Sequence, residues 1–147
     1  MELTNVVKVA RQEVGYTEEK GNLTKYGEWF GLNGLSWCGI FVSWCYAMGG
    51  VKLPNIGFKH GFAGCQTAVE YFSAKKMIVK NPIAGDIVFY DWQGDGRFDH
   101  TGIYLKRDDD NTFIAIEGNT STKNQSNGGC VMFRKRQYKY CIFVHVS

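Results

Sequence analysis

Proline is nearly absent from this chain, with 2 residues in 147. A proline-rich linker or extended recognition segment is therefore excluded. No apolar run approaches the roughly 18 residues of a membrane-spanning helix, so membrane insertion is not expected. The first residues, Met1-Glu2-Leu3-Thr4-Asn5, lack a basic region followed by an apolar stretch, so no secretory signal is expected. Acidic residues are missing from Lys123 to Ser147, where Lys123, Arg134, Lys135, Arg136 and Lys139 leave the tail wholly basic. Such a tail suits an anionic polymer; a solvated strand edge protected by its charges is the simpler expectation. No nucleic-acid motif accompanies it, so no nucleic-acid partner is expected. The five cysteines, Cys38, Cys45, Cys65, Cys130 and Cys141, are odd in number and have no Cys-x-x-Cys spacing. That argues against a zinc or dithiol redox site and for free thiols. A Cys130–Cys141 bridge across a hairpin is the one pairing the spacing suggests, and it carries little weight.

What the chain does have is a change of pattern. Leu3, Val6, Val7, Ala10 and Val14 fall at helical spacing, so residues 2–14 read as an amphipathic helix stopped by Gly15. Asn22 reads as the cap of a short second helix presenting Leu23, Tyr26 and Phe30. Residues 38–48 are apolar nearly all round, as in a buried central helix, and Gly49-Gly50 ends it. A fourth helix is expected over 63–75. After Asn81-Pro82, residues 87–90, 101–105, 113–117, 130–133 and 140–146 read as strands separated by Gly, Asn and Asp turns. Helices followed by consecutive strands predict one α+β domain over 1–147, with N-terminal helices packed on an antiparallel sheet of five to six strands.

The chemistry concentrates at Ser36-Trp37-Cys38-Gly39. Cys38 opens the buried helix, where free N–H groups and the helix dipole favour a thiolate. Cys45, two turns further on, reads as core filler. A thiolate nucleophile needs a base. Of three histidines, His100 begins a strand after a polar loop, which is a rigid and accessible mount. His60 sits in a glycine-rich connection and His145 near the end of an apolar strand, so both rank below it. An imidazole base needs an orienting acceptor. Glu117 and Asn119, two apart on a strand, point to one face and supply one. The Cys38 N–H is one donor to an oxyanion, and Asn33 and Tyr26 are candidates for a second. Trp37 and Trp92 are candidate substrate-stacking groups, while Trp29 and Trp44 read as core.

Together these pieces resemble the CHAP domain family, the cysteine/histidine-dependent amidohydrolases and peptidases of the NlpC/P60 and papain-like group. The resemblance lies in Trp37-Cys38-Gly39-Ile40-Phe41-Val42-Ser43-Trp44, Gly85-Asp86-Ile87-Val88-Phe89-Tyr90, Asp99-His100-Thr101-Gly102-Ile103 and Glu117-Gly118-Asn119-Thr120. It implies a papain-like fold and a peptidoglycan hydrolase cutting an amide bond. Cys38 is then the nucleophile, His100 the base, Glu117 its orienting residue and Asn119 a fourth active-site position. The implied partner is bacterial peptidoglycan. The implied settings are a phage lysin acting from the virion or host cytoplasm, or a secreted effector with an immunity protein. A non-catalytic wall-binding module on the same fold is the alternative. Some phage relatives carry an aspartate-rich calcium loop before the cysteine; residues 30–36 hold no carboxylate. Asp91, Asp95 and Asp99 read as turn residues. No metal or cofactor is expected.

Overall fold

The structure, a computed structural model, describes residues 2–146, with Glu2 described by its backbone only. Among the described residues, four helices precede a six-stranded antiparallel sheet. Helix α1, Glu2–Glu13, buries Leu3, Val6 and Ala10. Gly15 then turns at a φ of 101° and donates its N–H to the Val131 carbonyl. Helix α2, Lys25–Phe30, is capped by Thr24, whose hydroxyl accepts the Gly27 N–H at 3.0 Å. The expected cap, Asn22, lies outside the helix at a φ of 62°. A cap needs extended backbone, which Thr24 has and a left-handed residue does not. Helix α3, Cys38–Met48, is the buried central element, and Gly49 ends it. A side chain on Gly49 would strike Val6 at 2.9 Å, so this glycine lets α1 lie close against α3. Helix α4 spans Cys65–Ala74. None of these helices is long and apolar enough to cross a membrane.

The strands are β1 (Ile78–Val79), β2 (Ile87–Tyr90), β3 (His100–Arg107), β4 (Thr112–Thr120), β5 (Cys130–Gln137) and β6 (Cys141–Val144). Strand β1 is an addition to the five read from sequence; two residues are too few to leave a periodic signal. The order across the sheet is β1-β6-β2-β3-β4-β5. Strands β5 and β6 are thus consecutive in the chain yet not neighbours. In a flat sheet they would lie about 19 Å apart, at roughly 4.8 Å per strand. The link from Gln137 to Cys141 spans at most about 14 Å. The sheet therefore curls, and the aromatic contacts agree: Phe113 of β4 and Phe143 of β6 meet at 5.6 Å between ring centroids, across two intervening strands. The concave face holds Val88, Tyr90, Tyr104, Phe113 and Phe143. The other face, with Ile87, Phe89, Ile103 and Ile116, joins the helices in the main core.

This topology overturns the Cys130–Cys141 pairing. Strand β5 runs on through Gln137, so Cys130 sits at its far end from the turn into β6, and all five cysteines are free.

Candidate active site

Tyr90 and His100 are direct partners across β2 and β3, so their side chains share a face and their rings stack at 5.8 Å. Glu117 reaches the same place from β4 because Gly102 has no side chain; a Cβ there would lie 2.6 Å from the Glu117 Cγ. His100 and Glu117 are both fully buried, and imidazole Nε2 meets Glu117 Oε1 at 2.9 Å. Two further residues close on the carboxylate. The Tyr90 hydroxyl donates to Oε2 at 2.6 Å. Arg136 donates from Nε to Oε2 at 2.9 Å and from Nη2 to Oε1 at 2.6 Å. Burial alone would raise the Glu117 pKa, but the Arg136 and His100 bonds outweigh it and hold it down to about 2. Glu117 is therefore a fixed anion.

Cys38 sits at the first position of α3, so its own N–H has no partner within the helix. Its thiol lies well below the usual range. The contact with Cys65 is the largest cause; burial opposes it, and the charge of His100 and the Gly39 N–H add to it. In the other direction, burial lowers the basicity of His100. The Glu117 carboxylate and the Cys38 sulfur more than compensate and lift it to about 9. With Nε2 engaged by Glu117, Nδ1 is the nitrogen left to serve the sulfur, and it is buried with no hydrogen-bond partner among the described residues. These shifts favour a thiolate on Cys38 and an imidazolium on His100, backed by a carboxylate and a guanidinium. Such a thiolate can attack a carbonyl, and the imidazolium holds a proton for the leaving group.

The CHAP domain family matches residues 30–119. The chain belongs to that family. CHAP domains fall in the papain-like cysteine/histidine amidohydrolase and peptidase group. Among solved structures, the chain is similar to the crystal structure of Ly7917, with a TM-score of 0.52 at 15% identity. The alignment covers 97% of this chain and 62% of that one, so this CHAP domain spans less than two thirds of the length of Ly7917. At that identity the likeness is one of fold. No curated protein matches.

The other candidate residues divide sharply. Asn119 is buried but bonds neither His100 nor Glu117. The register shifts between Glu117 and Thr120, and Asn119 adopts a φ of 58°, so the alternation that would aim both side chains together is broken. Its amide instead donates to the Ser36 hydroxyl at 3.1 Å and to Asn127 at 3.2 Å, and accepts the Gly129 N–H. It thereby pins the loop that leads into Cys38. Trp37 offers no stacking face. It is 1% exposed, packs on Tyr26 at 5.5 Å, and donates its indole N–H to Glu18 at 2.7 Å. Trp92 is half-buried and stacks on Tyr90 and His100 at 5.1 and 5.6 Å. The Tyr26 hydroxyl is spent on Glu13, and Asn33 turns its carbonyl oxygen onto the Thr24 and Gly34 N–H groups. His145 pairs with Asp86 at 2.7 Å, and His60 stacks on Trp29. Trp29 and Trp44 are only half-buried against the core. Asp91 accepts the Asp95 and Gly96 N–H groups inside its own turn.

Three participants were not singled out from sequence. Arg136 read as one charge of a solvated edge, yet it is 6% exposed, with its guanidinium 4.8 Å over the Trp92 ring. The alternation of β5 was the available signal: Arg136 falls on the inward parity once the strand is known to extend past residue 133. Tyr90 ends an apolar strand with its only polar atom at the tip. Cys65 opens α4, and its sulfur lies 3.9 Å from that of Cys38. Nothing local in the sequence marked that distance.

Proposed function

We propose that this CHAP domain hydrolyses an amide bond of bacterial peptidoglycan, as an N-acetylmuramoyl-L-alanine amidase or a stem- or bridge-peptide endopeptidase. The observation that supports the reading is the buried His100–Glu117 pair, held by Arg136, with the charge of His100 acting on the Cys38 thiol at the start of α3. The Cys38 thiolate attacks the amide carbonyl, and the Cys38 N–H donates to the oxyanion. His100 gives its proton to the departing amine, leaving a thioester on Cys38. His100, now neutral, takes a proton from water, which attacks the thioester and frees the carboxylic acid. Glu117 holds the imidazole and balances its charge throughout.

The substrate class rests on family membership and on one surface feature. Beside Trp92 and Arg136 lies a hollow of about 400 Å³ bordered by Lys135 and Lys139. An aromatic face next to ammonium groups suits a sugar-linked peptide bearing free carboxylates. A phage lysin or virion-associated lysin, acting from the particle or the host cytoplasm, is the biological setting we favour over a secreted effector with an immunity protein. Purified peptidoglycan is the test. Wild type should clear it and Cys38→Ala should not, with the fold intact by circular dichroism. Mass spectrometry of the fragments identifies the new amino termini and so the bond cut. Equal clearing by the variant would reject the mechanism. No clearing by wild type of any wall type would favour the non-catalytic, wall-binding alternative.

A further inference from the structure

Cys38 and Cys65 each open a helix, and their sulfurs lie 3.9 Å apart. This is the one thiol–thiol hydrogen-bond contact among the described residues; the Cys130 sulfur meets Thr17 and that of Cys141 meets backbone carbonyls. The approach is built by Gly39. A Cβ at that position would lie 2.7 Å from the Ala63 carbonyl oxygen, so only glycine lets the segment carrying Cys65 come against the start of α3. Both thiols are almost enclosed, at 3% and 7% exposure. Closing the present gap to a disulfide length of about 2.05 Å means moving the sulfurs together by about 1.9 Å. The first residue of a helix has no preceding turn of its own helix to block a χ1 rotation.

We propose that Cys38 and Cys65 form a reversible oxidation site, in which Cys65 captures the oxidised nucleophile as a disulfide. The proposal rests on Cys38 being the reactive thiolate of the amidase/peptidase reading. The oxidant is a hydroperoxide. The Cys38 sulfur attacks its distal oxygen, the O–O bond breaks, and an alcohol or water leaves. The sulfur, oxidised by two electrons, carries a hydroxyl as a sulfenic acid. The Cys65 sulfur then attacks the Cys38 sulfur. The S–S bond forms as the S–O bond breaks, and the hydroxyl leaves with the Cys65 proton as water. A small dithiol reverses the reaction by thiol–disulfide exchange. The neighbouring thiol thus shields the nucleophile from irreversible over-oxidation.

The experiment treats the reduced full chain with one equivalent of hydrogen peroxide, blocks remaining thiols with iodoacetamide, and maps peptides without reduction. The expected product is two hydrogens lighter than the starting protein and yields a Cys38–Cys65 cross-linked peptide that dithiothreitol removes. Given two or more equivalents of peroxide, Cys65→Ser and Cys65→Ala should instead accumulate Cys38 bearing two added oxygens, which dithiothreitol does not reverse. Over-oxidised Cys38 without cross-link in wild type, or a cross-link between other cysteines, would overturn the proposal. Because the readout is mass, it is independent of turnover. Wall clearing by the untreated reduced enzyme separately tests the functional reading, so the two can fail apart.

Discussion

Arg136 grips Glu117 through two nitrogens, at 2.6 and 2.9 Å, in a place that solvent barely reaches. The guanidinium fork matches the two carboxylate oxygens, so it fixes the plane of Glu117 and with it the oxygen that faces His100.

Replacing Arg136 with Met leaves a buried, uncompensated carboxylate. The expected cost is about 3–5 kcal/mol of stability. Wall-clearing activity should fall further than stability alone explains, because Glu117 is then free to take up a proton and release His100. Arg136→Lys keeps the charge but not the fork, so it should recover stability in part and activity less. Urea denaturation alongside clearing rates at a temperature where both variants remain folded checks this.

Activity should depend on pH with a falling limb near 9, where His100 loses the proton it must give to the leaving amine. The rising limb should lie below the usual thiol range, since the Cys38 thiolate is already favoured. Rates of hydrolysis on soluble wall fragments between pH 4 and 10 would locate both limbs. A rising limb at the ordinary thiol value would contradict the ion pair.

Stability should carry the same groups with opposite signs. Glu117 falls from an ordinary 4.5 to about 2 on folding. Its contribution, on the order of 3 kcal/mol, is present above the higher value and lost as pH drops through the lower one. His100 rises from 6.5 to about 9, so its contribution is present below 6.5 and lost as pH climbs through 9. Thermal melts from pH 2 to 10 should show both slopes, and Glu117→Gln should flatten the acid one.

Gly102→Ala should push Glu117 away from His100, since the new methyl would lie 2.6 Å from its Cγ. Overpacking of this kind costs about 1–3 kcal/mol. The more telling readout is turnover: kcat should fall while KM changes little, because the disturbed residue orients the base and does not hold substrate.

The two tryptophans should separate by the same split. Trp37→Phe removes the indole hydrogen bond to Glu18 and should lower stability by about 1.5–3 kcal/mol with KM unchanged. Trp92→Ala removes a half-exposed face beside the site and should raise KM.

Most of the fold was legible because burial imposes periodicity. The all-round apolar stretch of α3 and the strands after residue 81 could adopt few other arrangements once their apolar faces had to be hidden. The short capped helix was less legible, since Asn22 and Thr24 both suit a cap and only backbone φ distinguishes them. Cys38 was readable for a similar local reason: a cysteine at a helix start carries its own electrostatic argument. His100 and Glu117 followed from strand starts and alternation.

What the chain determined by itself, then, was local: a cysteine opening a buried helix, a histidine and a carboxylate on later strands, and a helix-then-sheet order. Tertiary structure alone decided who meets whom. The pairing of β4 with β5 makes Arg136 the partner of Glu117, a register shift aims Asn119 at Ser36 and Asn127, and Gly39 admits Cys65 to Cys38. Each depends on contacts between residues remote in the chain, and periodicity, which reports only which face a residue occupies, carries no information about what lies opposite that face.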